Sequence, residues 1–350
     1  MNGKIRSIRR IDREHPQFDV LDLYDSLGRT KNYEIGRNAD NASFLQFVSE
    51  LLNKPYPSAV VYGRRTDAMF AYVAASLGNC LLIKKEDSGD VFSDEMEITI
   101  PDYRVVLRDG RQFLVEVKNI HNKNIDHVFA LKEDYLLKLK NYSRIVNTDL
   151  YFAIFWSCWQ MWTLIKLSDF TMCEGKIEIT FEEALKKNKM SLLRDFIVAT
   201  QAPLSIRAYP DYEKPHIVDH ENYAEIVISD VEMYCQDRLI TSDEERRIAF
   251  ALMAFGGWSE SVEAYIMNES SKEIEYVEFM VKPLEYEELN EPYMVGPLST
   301  IISRQYGYFT APDGKIKSLT PHISEQEFGF IIPKDYRGEC LPIWRFYQAP

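Results

Sequence analysis

The 350-residue chain is 46% hydrophobic and 27% charged, which supplies a sizeable core and excludes wholesale disorder. Its five cysteines, Cys80, Cys158, Cys173, Cys235 and Cys340, are scattered and never spaced Cys-x-x-Cys, which argues against a disulfide framework or a Cys-rich zinc site and for a reducing compartment. Net charge is −13, and the excess acid lies in one half: residues 1–169 carry 23 Lys and Arg against 23 Asp and Glu, whereas residues 170–350 carry 18 against 31.

The start of the chain is basic at Lys4, Arg6, Arg9 and Arg10, then runs into Asp12-Arg13-Glu14 rather than an apolar run, so it does not read as a secretory signal. Asn41–Leu52 reads as a helix capped by Asn41, with Phe44, Leu45, Val48, Leu51 and Leu52 at helical spacing and Pro55-Tyr56-Pro57 as its stop. Thr66–Leu77 reads as a second helix, with Thr66 as cap, Phe70, Val73, Ala74 and Leu77 as its apolar stripe, and Gly78 as terminator. Strand patterns follow at Cys80–Ile83, Glu97–Ile100, Tyr103–Leu107 and Gln112–Lys118. The last two flank Asp109-Gly110, a hairpin signal because both residues tolerate positive φ.

Lys132–Val146 is expected to be helical, with Tyr135, Leu136, Leu139, Tyr142 and Ile145 on one face; strands are expected at Leu150–Trp156 and Met161–Leu167. The uncharged stretch Leu150–Ile165 has only 16 residues, short of the ~20 a spanning helix needs, so the expectation is a cytoplasmic protein with no membrane segment. Further on, helices are expected at Phe181–Lys187, across Ser191–Ala199, and from Ser242, which forms a capping box with Glu245 and ends at Gly256-Gly257. Tyr223–Ile228 and Glu275–Val281 alternate as strands do. The expected organisation is α/β: residues 1–170 hold a mixed sheet flanked by helices, and residues 171–350 a second, acidic α+β domain.

The chemistry concentrates around one hairpin. Asp102 lies seven residues before Asp109, and Glu116 six after Gly110, so folding about the turn makes them near cross-strand neighbours. Glu116 and Lys118, two apart on a strand, project to one face, while Val115 and Val117 face the packed side. Two nearby carboxylates raise each other's pKa, and a hard divalent cation such as Mg²⁺ or Mn²⁺ relieves the repulsion. An adjacent ammonium completes the equipment for metal-assisted phosphodiester hydrolysis.

The set Pro101-Asp102 … Glu116-Val117-Lys118 resembles the PD-(D/E)XK nuclease superfamily over about residues 60–170. The resemblance implies a restriction-endonuclease-like sheet, with the metal held by Asp102, Glu116 and the backbone carbonyl of Val117, and with Lys118 serving the attacking water. Asp67, in the expected helix before the sheet, matches a further acidic position where the family more often has Glu. Lys138, Lys140 and Tyr142 are available for a polar or basic position on the helix that follows. Pro210-Asp211 and Pro312-Asp313 also occur, but neither is followed by a strand-borne Glu-x-Lys after a hairpin.

The expectation is therefore a Mg²⁺-dependent endonuclease acting on nucleic acid, DNA first, in a setting such as restriction, antiphage defence, recombination or mobile-element processing. The alternative is a non-catalytic module of the same fold that binds nucleic acid or protein within a larger complex. On an ordinary sheet, Glu116 and Lys118 would be only an exposed ion pair. The acidic half is a poor wrapper of DNA, because phosphate contacts need Lys and Arg. It reads as a surface for a basic partner or for self-association, as a mimic of nucleic acid that restrains the nuclease, or as a ligand sensor. His216 and His220 lack a helical stripe and a third ligand and read as surface or packing residues; His121 and His127 read as loop residues. Cys158, Trp156 and Trp162 read as core.

Overall fold

The computed structural model describes residues 17–87, 91–94, 97–173, 175–221, 223–268, 272–287, 291–321 and 332–349. The basic cluster from Lys4 to Arg13 lies outside them. The chain divides into two compact units, one of residues 9–65 and one holding Thr66 onward. The smaller unit contains α1 (Gln17–Gly28) and α2 (Asn38–Leu52), closed over a small aromatic contact in which the rings of Tyr24 and Phe44 lie 4.8 Å apart. Asn41 is not the cap of α2. Its amide already donates to the Arg37 carbonyl, so the first turn forms earlier than the apolar spacing alone suggests.

The helix α3 spans Ser58–Leu77, eight residues longer at its start than expected. Pro57 offers its carbonyl to the amides of Val60 and Val61, so the Pro-rich stretch that ends α2 also opens α3. Thr66, expected as a cap, is mid-helix and buried. Gly78, at φ +85°, ends the helix as expected.

Beyond α3 the fold is mixed α/β. β1 (Cys80–Lys85), β2 (Tyr103–Leu107) and β3 (Gln112–Ile120) form an antiparallel meander. β4 (Val128–Lys132) and α4 (Glu133–Ile145) cross over to β5 (Leu150–Trp156), which lies parallel to β3, and β6 (Met161–Lys166) pairs antiparallel beside it. The sheet order is β1-β2-β3-β5-β6. Alternation along β3 and β5 divides the core. Val115, Val117, Ala153 and Phe155 pack with Met69, Phe70 and Val73 of α3, whereas Leu114, Phe152 and Ile154 pack with Leu136 and Leu139 of α4. Each fully buried Val, Leu, Ile, Phe or Met among them contributes about 1.5–3 kcal/mol.

Glu97–Ile100 is not a strand. Its backbone follows α4 instead, with the Thr99 amide on the Lys138 carbonyl and the Asn141 side chain on the Glu97 carbonyl. Two further strands, β7 (Thr171–Cys173) and β8 (Lys176–Thr180), join β4 in a small sheet that the sequence pattern did not mark. The short helix α5 (Phe181–Lys186) follows, opened by a capping box between Thr180 and Glu183.

Ser191–Ala199 does not form an α-helix: a single 3-10 turn, Met190–Leu193, ends almost at once. Arg194 takes φ +76°, and the chain turns into β9 (Ile197–Thr200). A five-stranded antiparallel sheet is built from β10 (Leu204–Pro210), β11 (Ile228–Cys235), β12 (Arg238–Leu239), β13 (Ser259–Asn268) and β14 (Glu273–Lys282). Tyr223–Val227 precedes β11 without joining a ladder. α6 (Asp243–Phe255) starts at Ser242, but without the expected capping box: the buried Glu245 carboxylate instead accepts from the amides of Glu339 and Cys340. β15 (Tyr293–Pro297) and β16 (Ile343–Phe346) flank β9, and α7 (Leu298–Thr310) follows β15.

One hydrophobic cluster runs from Met69 through Phe155 and Trp162 to Ile301, Ile302 and Leu341, and so continues across the change in charge near residue 170. Trp156 and Trp162 are buried, their indole N–H groups donating to Thr163 and Ser303 at 2.9 Å. Among the described residues no helix is long and apolar enough to cross a membrane.

Candidate functional site

The Asp109-Gly110 turn, with Gly110 at φ +86°, closes the β2–β3 hairpin and fixes its register. Tyr103 pairs with Val115, so the next step along the ladder sets Asp102 opposite Glu116. The side chain of Asp102 turns back onto the sheet, and Oδ2 accepts the Val117 amide at 2.7 Å. Its own carbonyl accepts the Glu86 amide at 2.8 Å, which anchors the end of β1 to the same spot.

Glu116 is 3% exposed. Its Oε1 receives two donors, the Lys118 ammonium at 2.5 Å and the Tyr135 hydroxyl at 2.5 Å. Lys118 also reaches the Tyr135 oxygen at 3.3 Å and lies 5.0 Å from the centre of its ring. The Glu116–Lys118 pair is therefore within one strand and largely buried, not an exposed surface pair. No hydrogen bond among the described residues reaches Oε2 of Glu116.

The electrostatics follow from this crowding. Burial, then the charges of Glu116 and Asp67, push the Asp102 carboxyl from 3.8 up to about 7, against the opposing pull of the Val117 amide and Lys118. For Lys118, burial favours the neutral amine, but Glu116 and Tyr135 outweigh it and the pKa is raised. Burial and the Glu116 charge push the Tyr135 phenol up to about 12. Asp67 lies on α3, where its backbone carbonyl accepts the Tyr103 hydroxyl at 3.0 Å. Its influence on Asp102 is electrostatic. Among the described residues no three His, Cys, Asp or Glu side chains stand together as a metal-binding group.

Tyr135 and the Glu86 cluster are the parts that the sequence reading missed. Glu86 is held by Arg104, whose Nη2 lies 2.7 Å away, and by the Tyr142 hydroxyl at 2.6 Å. Burial opposes the Glu86 charge, but these two donors hold its carboxyl below the usual range. The signal lay in α4: Tyr135 and Tyr142 share its apolar stripe, and a phenol turned toward a sheet needs a partner for its hydroxyl. Of the basic residues considered on α4, Lys138 pairs with Glu97 at 2.8 Å and Lys140 is exposed.

His121 extends from the end of β3, with Nδ1 2.9 Å from the Ser157 hydroxyl and 3.6 Å from the Cys158 sulfur. Cys158 is half-exposed rather than core. His216 and His220 are exposed or half-exposed loop residues.

No protein-family model matches the chain, and no curated protein does. Among solved structures it is similar to Hjc, a Holliday junction resolvase from the archaeon Archaeoglobus fulgidus. The match has 15% identity, covers 30% of this chain and 80% of that one, and has a TM-score of 0.23.

Proposed function

We propose that the β2–β3 edge is a divalent-metal-dependent nuclease centre that hydrolyses phosphodiester bonds, in DNA first of all. The observation that carries the reading is the Asp102 carboxylate bound to the Val117 amide, within the charge of the neighbouring Glu116, whose own carboxylate accepts from Lys118. The donor set suits the metal: Mg²⁺ is commonly held by one or two carboxylates, completed by water and substrate phosphate. The raised proton affinity of Asp102 marks a place short of positive charge.

In this reading Asp102 and Glu116 hold the ion, with the Val117 carbonyl as a further oxygen source, while Asp67, which does not join them in a three-acid group, adds negative charge nearby. When bound, Mg²⁺ or Mn²⁺ supplies a Lewis acid for a phosphate oxygen and lowers the pKa of a coordinated water. Tyr135 fixes one oxygen of Glu116 and leaves the other for the cation. Lys118, with its pKa raised, is an ammonium at neutral pH. It therefore acts as a hydrogen-bond donor that orients water and offsets negative charge on phosphate, not as a base. The resulting partner is nucleic acid.

A second reading takes support from the short Lys118–Glu116 contact, which gives Glu116 a counter-ion without any metal. A non-catalytic nuclease-fold module would look this way. Incubating the purified protein with supercoiled plasmid, a four-way DNA junction and single strands separates the two. The nuclease reading expects cutting with Mg²⁺ or Mn²⁺, none with EDTA, and none by Lys118→Ala. Equal behaviour of wild type and Lys118→Ala with every substrate and metal would leave the module reading standing.

A further inference from the structure

Alternation along the β10–β14 sheet gives it two unlike faces. Leu204, Met233, Cys235 and Val281 point into the core. The opposite face carries acids and tyrosines. Across its middle, the register aligns Glu232 with Arg207, Arg207 with Glu278, and Glu278 with Glu263. One guanidinium thus stands among three carboxylates. Next to this row lie Asp230 opposite Tyr209 and Tyr265 opposite Tyr276, with the Tyr209 and Tyr276 rings 5.6 Å apart and the Tyr265 and Tyr276 rings stacked at 4.5 Å.

Arg207 shows what this surface holds well. Its guanidinium sits 4.3 Å from the ring centre of Tyr234 and 4.9 Å from that of Tyr276, and its Nε donates to Glu278 at 2.9 Å. Acids and rings recur beside it. Glu232 accepts the Tyr234 hydroxyl at 2.5 Å and feels the charges of Arg207 and Arg246, and the exposed Glu263 accepts the Tyr265 hydroxyl at 3.3 Å. Glu263 also stands directly opposite Glu278, and like charges opposed across strands destabilise a sheet. An incoming cation relieves that repulsion and finds aromatic faces to rest on.

We propose that this face docks an arginine- or lysine-bearing segment of a protein partner. Charge complementarity selects the occupant: a phosphate backbone would meet Asp230, Glu232 and Glu263, whereas guanidinium and ammonium groups meet carboxylates and ring faces in the pattern Arg207 already displays. The excess acid of residues 170–350, 31 Asp and Glu against 18 Lys and Arg, extends the same preference over a longer range. The inference stands apart from the nuclease reading and survives its failure.

The test is fluorescence anisotropy of a labelled Arg-Ser repeat peptide with the full-length protein at about 50 mM salt, where surface charge is weakly screened. Binding is expected. The exposed pair Asp230→Asn with Glu263→Gln should weaken it about tenfold, and Tyr265→Leu, which changes no charge, about threefold to fivefold. Asp335→Asn with Asp313→Asn removes equal charge from exposed positions outside this sheet and should leave affinity unchanged. Equal weakening by this control pair, absence of peptide binding, or tighter Tyr265-dependent binding of oligothymidylate would each overturn the proposal. Circular dichroism of every variant excludes unfolding as the cause.

Discussion

The Tyr135 hydroxyl donates to Oε1 of Glu116 at 2.5 Å, so helix α4 holds an acid that stands on β3. That contact aligns the carboxylate while Lys118 approaches the same oxygen. Removing the hydroxyl in Tyr135→Phe keeps the ring that packs beside Lys118. Partners that orient a metal ligand are worth about 10–100-fold in metal affinity or activity. Tyr135→Phe is therefore expected to fold normally and to lose activity in that range, with part of the loss recovered at high Mg²⁺. Steady-state cleavage across a Mg²⁺ series checks this.

Burial, and then the negative charges of Glu116 and Asp67, disfavour an ionised Asp102. Asp102→Asn removes that charge and keeps an oxygen for the Val117 amide. In metal-free buffer the variant should melt at a temperature equal to or above wild type. It should also lose the stabilisation that saturating Mg²⁺ gives wild type, about 2.7 kcal/mol at a hundredfold excess over Kd. Thermal melts with and without Mg²⁺ provide both numbers.

The same carboxyl sets a pH dependence. Its pKa rises from 3.8 to about 7 on folding, so between those values the folded chain keeps a proton that the unfolded chain has released. This contribution to metal-free stability is greatest at the acid end, falls as pH rises toward 7, and levels off above it. Metal affinity moves the other way, because the ligand must be deprotonated. Below pH 7 it should rise about tenfold per pH unit and then flatten. Calorimetric titration of Mn²⁺ from pH 5.5 to 8.5 measures the slope. Asp102→Asn should abolish it.

Ile302 on α7 is fully buried in the cluster that also holds Val115 and Val117. Ile302→Ala should cost about 2–5 kcal/mol. Because the core is shared, the Val115 and Val117 amides on β3 should exchange faster by the same free energy as the α7 amides. Native-state hydrogen exchange reads both. Unchanged exchange at β3 would mean that the sheet is stable without α7.

Local pattern carried much of the sheet. Tyr103–Leu107 and Leu150–Trp156 were legible to the residue, because alternation beside the Asp109-Gly110 turn in the first and a continuous apolar run in the second are local signals. The approach of Asp102 to Glu116 was legible too, since counting from a tight turn fixes register. What escaped depended on distant partners. Glu97–Ile100 has strand-like residues but bonds to α4, and Glu245 looks like a capping-box acid but bonds to Glu339 and Cys340. Tyr135 was visible as one of a helical stripe, but its hydroxyl has meaning only beside Glu116. The division of charge near residue 170 is real, yet a charge boundary lies on the surface and does not require a break in the core.

The central claim, that Asp102 and Glu116 share one divalent ion, is tested most directly by electron paramagnetic resonance of Mn²⁺ titrated into the protein. The account predicts a saturable bound-ion signal displaced by Mg²⁺ and lost in both Asp102→Asn and Glu116→Gln. A signal of equal strength in wild type and both variants, or none in wild type at neutral pH, would contradict it.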